Sequence, residues 1–225
     1  MKKKTLLITI ILAVLAIGAY LYYYYATTVV EQSKIAYDSE DYDLAISNYT
    51  RANKLIFWDK EKKASNLLWR GRAYYYGKED YNQALADFTE AIELHPDYYP
   101  YYTWRARTHY QMRNYNLAIA DFSKSIELYE DADWDKYLER ASAYFMNEDF
   151  ALAIADYDRA ISVLDENINS PYISTDRIDE LKKKRNTVIS NKKRTERAIK
   201  WRIDNPEESL AIWMLIDLFE HAEED

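Results

Sequence analysis

Residues Tyr115–Leu128 read Y-N-L-A-I-A-D-F-S-K-S-I-E-L, and nearly the same phrase stands at Tyr42–Leu55, Tyr81–Leu94 and Phe150–Val163. In each copy a small residue (Ala45, Ala84, Ala118, Ala153) is followed four places on by an aromatic one (Tyr49, Phe88, Phe122, Tyr157). Three places further comes a second small residue: Ala52, Ala91, Ser125 or Ala160. Positions i, i+4 and i+7 share one helix face, and small residues on it mark the close approach of another helix. The leading alanines lie 39, 34 and 35 residues apart, a period that stacks helix pairs.

The phrase supplies the second helix of each unit. A first helix precedes three of the copies, as Trp69-Arg70-Gly71-Arg72-Ala73-Tyr74-Tyr75, Trp104-Arg105-Ala106-Arg107-Thr108-His109-Tyr110 and Glu139-Arg140-Ala141-Ser142-Ala143-Tyr144-Phe145. The turns Glu79-Asp80, Arg113-Asn114 and Glu148-Asp149 separate the two helices. Asp or Asn just before an apolar periodic run suits a helix entry, and such short connections make neighbouring helices antiparallel.

These residues resemble the tetratricopeptide repeat family, in a form that reads R-[GA]-x-A-Y, a turn, then Y-x-x-A-I-x-D-[FY]-x-x-A-I-x-L. The resemblance covers about Val29–Leu164 and implies an all-α fold, a right-handed α-solenoid of about four helix pairs. Units are expected at residues 27–58, 62–96, 98–130 and 133–166, followed by a basic helix and a capping helix within 167–225. The chain departs from the family pattern in its turns, where Glu40, Glu79, Arg113 and Glu148 replace the usual glycine and Pro96 alone keeps the closing proline. One extra residue lies in Tyr74–Asp80, and the first helix of unit one, Val29–Asp38, matches weakly, as a cap more than a binding unit would.

Two sets of positions stand out. Arg70, Arg105 and Arg140 share a place in the first helix, and Asp87, Asp121 and Asp156 share one in the second, while unit one has Gln32 and Asn48 there instead. Joint presence and joint absence point to an ion pair within each unit, since a partly buried charge needs a partner. The family resemblance assigns a different set to the inner groove: Trp69, Arg72, Tyr75 and Tyr76, then Trp104, Arg107, Tyr110 and Gln111, then Glu139, Ser142 and Phe145. Aromatic residues and arginines carry much of the energy of interfaces, and an Arg fork grips a carboxylate. The alternative is that the aromatics fill the core between units and the arginines are solvated.

At the other end of the chain, Lys2–Lys4 precede Thr5–Ala26, 22 residues without a charge. That length crosses a hydrocarbon core of roughly 30 Å. Tyr20 and Tyr22–Tyr25 suit the headgroup layer. Residues 1–26 are therefore expected to anchor the chain in a membrane. A signal peptide cut near Ala16-Ile17-Gly18 is the rival, and a buried soluble helix a third reading. Lysines before the span and Glu31, Asp38, Glu40, Asp41 and Asp43 after it keep the N-terminus cytoplasmic and the repeats outside, by the positive-inside rule.

The net charge of −8 is unevenly distributed: Thr5–Asp176 carry −11 and Arg177–Arg202 carry +8. An acidic body with one basic segment does not fit a nucleic-acid binder. The basic segment begins after the break Asn167–Thr175 and reads as a helix to about Trp201, either packed on the acidic body or kept for an anionic ligand. A last helix, Ser209–His221, reads as a cap for an open stack, with docking in a groove as the alternative.

Signs of catalysis do not appear. His95, His109 and His221 stand apart, no phosphate loop can be built from Gly18, Gly71 and Gly77, and there is no cysteine. No catalytic, cofactor or metal residue is expected. The functional expectation is a membrane-anchored adaptor that holds a protein or peptide partner in its groove. The resemblance suggests envelope assembly or export-associated complexes. An oligomerising structural subunit, or an accessory protein using its basic helix on an anionic surface, are the other readings.

Overall fold

The computed structural model describes residues 2–56, 59–129, 133–170, 174–206 and 208. Among them every regular element is helical: α1 (Lys2–Asp38), α2 (Tyr42–Leu55), α3 (Lys60–Ala73), α4 (Tyr81–Leu94), α5 (Tyr99–Gln111), α6 (Tyr115–Leu128), α7 (Trp134–Met146), α8 (Phe150–Ile168) and α9 (Thr175–Asp204). The chain divides into two compact units, Met1–Leu128 and Tyr129–Asp225. The expected helix at Ser209–His221 and its acidic tail lie outside the described residues.

In the first unit, α1 and α2, α3 and α4, and α5 and α6 form successive antiparallel pairs. The recurring alanines do what their spacing implies. Ala45, Ala84 and Ala118 have no exposed surface, and neither do the aromatic residues Tyr49 and Phe88 beside them. Asp41 and Asp80 cap α2 and α4, each accepting from a backbone N–H three residues on, at 3.1 Å. Each such cap contributes about 1 kcal/mol.

The turns keep the backbone that glycine would adopt. Glu40, Glu79, Arg113 and Glu148 sit at φ 61°, 50°, 60° and 66°. Around Glu40 the Asp41 N–H reaches Ala36 O at 2.9 Å and the Glu40 N–H reaches Tyr37 O at 3.0 Å, the paired bonds of a Schellman closure. Arg113 and Glu148 close their helices by the same two bonds. The extra residue of unit two is absorbed upstream, where Tyr74–Lys78 form a π-helical turn. One residue spread over a wider turn restores the phase, so that Glu79 still turns left-handed and Asp80 still caps α4.

Helix α1 has two parts with different surroundings. Leu7, Ile8, Ile10, Leu12, Val14, Leu15, Ile17 and Leu21 are all more than half exposed, whereas Ala26, Val29, Ser33 and Ala36 are buried. The first part is long and apolar enough to cross a membrane. The second is the first helix of unit one, so one uninterrupted helix serves both.

In the second unit, α7, α8 and α9 enclose a core of Ala141, Ala153, Tyr157, Ala160, Leu164, Leu181 and Val188. Basic residues of α9 meet acids nearby: Arg185 with Asp165 (2.5 Å), Lys192 with Asp158 (2.6 Å) and Arg202 with Glu148 (2.7 Å). The basic helix thus packs on its own acidic neighbours.

Candidate ligand-binding face

The arginine and aspartate positions lie inside the helix pairs. Arg70 donates from Nε to Asp87 Oδ2 at 2.8 Å and from Nη2 to Oδ1 at 2.5 Å. Arg105 and Asp121 repeat this fork at 2.7 and 2.8 Å, as do Arg140 and Asp156. Burial lifts the Asp87 carboxyl above the usual carboxylate range although Arg70 opposes it, and the aspartate in turn raises the Arg70 guanidinium. The remaining Nη1 of Arg70 donates to Thr50 Oγ1 of the preceding pair at 3.1 Å, and that of Arg105 reaches Thr89 Oγ1 at 3.5 Å. Thr50 and Thr89, which directly follow Tyr49 and Phe88 of the phrase, are therefore third partners that the sequence reading missed.

The other set is built on α1, α3 and α5, the first helices of the three pairs. The Arg72 guanidinium lies 4.1 Å from the Trp69 ring centre, 4.6 Å from that of Trp104 and 5.2 Å from that of Tyr37. The Arg107 guanidinium also lies over Trp104, at 4.5 Å from its ring centre. Tyr37 meets Trp69 edge-on at 5.2 Å, and Tyr75 and Tyr76 meet Trp104 edge-on at 5.9 and 5.6 Å. Such contacts contribute roughly 0.5–2 kcal/mol each. The Nε of Arg72 is buried with no hydrogen-bond acceptor.

Trp104 is only 8% exposed and so belongs to the core between pairs as well as to this face, while Tyr76 is 51% exposed. The π-helical turn explains the difference: by widening the helix end it brings two successive tyrosines to Trp104. Burial raises the Tyr75 hydroxyl's pKa against a hydrogen bond from Gln111, and it also raises that of Tyr37 against the pull of Arg72. Tyr110 packs edge-on against Tyr115 at 5.6 Å.

Ser142 and Phe145 belong to the second unit. Ser142 Oγ donates to Leu138 O at 2.9 Å, and Phe145 lies between Phe150 (5.6 Å) and the Arg194 guanidinium of α9 (5.5 Å). Glu139 of the same helix is half-buried.

Tyr37 enlarges the set. It stands five residues after Gln32, as Tyr75 and Tyr110 stand five after Arg70 and Arg105, so the repeat offset points to it. The same offset makes Lys34 the counterpart of Arg72 and Arg107. Lys34 lines a cavity of about 320 Å³ between α1 and α3, together with Tyr23, Thr27, Asn66 and Trp69. Unit one thus contributes Tyr37 to the contacts around Arg72 and Trp69. Among the described residues no cluster of His, Asp and Glu could hold a metal.

No curated protein matches the sequence. Among solved structures, MamA is similar with a TM-score of 0.56 and 19% identity, covering 80% of this chain and 94% of that one. The Arabidopsis OM64 tetratricopeptide domain gives 0.44 and 23%, covering 57% and 98%. The first such domain of Spaghetti (RPAP3), solved with an HSP90 peptide, gives 0.44 and 20%, covering 55% and 93%. These likenesses are of fold alone. A tetratricopeptide repeat family model matches residues 70–133 and 103–171. With that match and the helix pairs above, residues 70–171 are tetratricopeptide repeats.

Proposed function

We propose that this protein is a membrane-anchored scaffold that captures a protein or peptide segment on the face formed by α1, α3 and α5. The observation that carries the proposal is Arg72 held between the rings of Trp69 and Trp104, with Tyr37 at its side. A guanidinium packed among three aromatic rings has already lost much of its rotamer freedom, so less is lost when it binds a carboxylate or a carbonyl. Tyr76 adds an exposed aromatic surface beside it.

The apolar half of α1 supplies the anchor in this reading, with the lysines at its start kept in the cytoplasm and the repeats outside. Envelope assembly or export-associated complexes are the setting this topology suits. Anchoring raises the partner's effective concentration at the membrane.

The test is crosslinked pull-down from membranes, comparing wild type with Arg72→Glu/Arg107→Glu, with circular dichroism to show that both fold. Loss of specific partners from the double variant is the expected result. An unchanged set of partners overturns the assignment of this face.

A further inference from the structure

Helix α1 fixes more than an attachment point. The Tyr22 hydroxyl donates to Leu55 O at the end of α2, at 2.9 Å. One residue on, Lys62 Nζ of α3 lies 5.5 Å from the centre of the Tyr23 ring. The repeat body therefore starts at Tyr22, and the end of the stack where α2 finishes and α3 begins is fastened there. Between Lys4 and Tyr22 stand about 17 helical residues, which span ~26 Å at 1.5 Å each. That is shorter than the roughly 30 Å hydrocarbon core. If α1 crosses a bilayer, Tyr22 has no length left with which to rise above the headgroups, and the α2–α3 end must lie among them.

The charge at this end suits that position. Arg51–Lys63 carry five basic and two acidic residues, within a stretch, Thr5–Asp176, whose net charge is −11. Lys62 is held by Asp59 at 2.8 Å and Lys63 by Glu90 at 2.6 Å. Lys54 and Lys60 are exposed at the same end. Tyrosines at the water interface and cations beside them form the usual boundary of a protein seated on lipid.

We propose that the α2–α3 end of the first unit is a lipid-binding surface, seated on anionic headgroups through Lys54 and Lys60, so that the repeats rest on the membrane and do not swing from it. The proposal rests on the reading of α1 as a span, and its test separates the two.

The chain has no cysteine, so single labelling sites can be introduced freely. Glu61→Cys carries a fluorophore at the proposed surface, and Asp38→Cys carries one at the far end of α1, about 16 residues or ~24 Å higher along the helix. The full chain is reconstituted in vesicles of phosphatidylglycerol and phosphatidylcholine that contain a headgroup-attached nitroxide quencher. The expected result is quenching several-fold stronger at position 61 than at position 38. Adding Lys54→Glu/Lys60→Glu should reduce the quenching at 61 about twofold. Equally weak quenching at both sites, in chains that resist alkaline extraction, overturns the seated arrangement. Equal quenching with and without the charge reversal overturns headgroup recognition by the lysines. Release of the chain by alkali overturns the span itself.

Discussion

Arg105 and Asp121 face each other across α5 and α6 as a two-bond fork, Nε to Oδ2 at 2.7 Å and Nη2 to Oδ1 at 2.8 Å. The aspartate side chain is 10% exposed and the arginine 23%, so removing one partner strands a charge that water reaches poorly. Arg105→Ala should therefore lose about 2–3 kcal/mol, somewhat below the figure for a fully buried pair. Arg105→Ala with Asp121→Asn should lose less than the single change, because no lone carboxylate remains. Urea unfolding of the two variants measures the difference, and equal losses would contradict this account.

Gly77 and Gly71 look alike in sequence but meet different neighbours. A Cβ at Gly77 would collide with Tyr42 Cβ and Cγ, atoms close to that residue's backbone. A Cβ at Gly71 meets the Phe88 ring at 2.6 Å, and the equivalent places in the next two units hold Ala106 and Ala141 above Phe122 and Tyr157. Gly77→Ala is expected to cost ~2 kcal/mol through overpacking. Gly71→Ala should cost less, since a ring can turn where a Cβ cannot move. Thermal melts of both variants give the ranking.

The left-handed turn residues supply a stabilising prediction. A side chain at φ 61° costs Glu40 roughly 1–2 kcal/mol relative to glycine, part of which glycine's greater unfolded freedom takes back. Glu40→Gly should raise stability by about 0.5–1 kcal/mol. Glu148→Gly should gain less, because Glu148 accepts from Arg202 Nη2 at 2.7 Å and a half-exposed pair is worth up to ~1 kcal/mol.

His109 gives the acid limb of the stability profile. Burial holds its imidazole below the usual histidine value of 6.5, with Asp121 pulling it up and Arg105 adding to the lowering, and its Nδ1 has no hydrogen-bond partner. A depressed folded pKa means that the unfolded chain takes up the proton first. This contribution is complete above pH 6.5 and is lost as pH falls toward the folded value, with a slope of at most ~1.4 kcal/mol per unit. His109→Gln should flatten the difference between unfolding free energies at pH 7 and pH 5.5. A slope unchanged by the substitution would rule out His109 as its source.

The sequence reveals the helix pairs because small and aromatic residues recur at i, i+4 and i+7, a spacing only a helix face requires. Arg105 and Asp121 are visible for a similar reason, as they recur at fixed offsets. Thr89 is not, since a threonine after Phe88 looks like any exposed helix residue until Arg105 is seen to reach it. Tyr37 is hidden by its surroundings: Val29–Asp38 lacks the R-G-x-A-Y run, although Tyr37 keeps the aromatic offset of that run. The π-helical turn is invisible for a physical reason, because an inserted residue shows that the count is wrong and not where the backbone absorbs it.

In the anchored reading, the unbroken course of α1 also acts as a measuring rod. Tyr22 and Tyr37 are separated by about 15 helical residues, or ~23 Å, without a hinge between them. A partner embedded in the same bilayer can reach the rings around Arg72 only if its own recognition segment stands off by at least ~7 extended residues at about 3.3 Å each. Longer tethers lose little, because loop entropy grows slowly with length. Selection would then begin with stand-off distance, before any side chain of the partner is read.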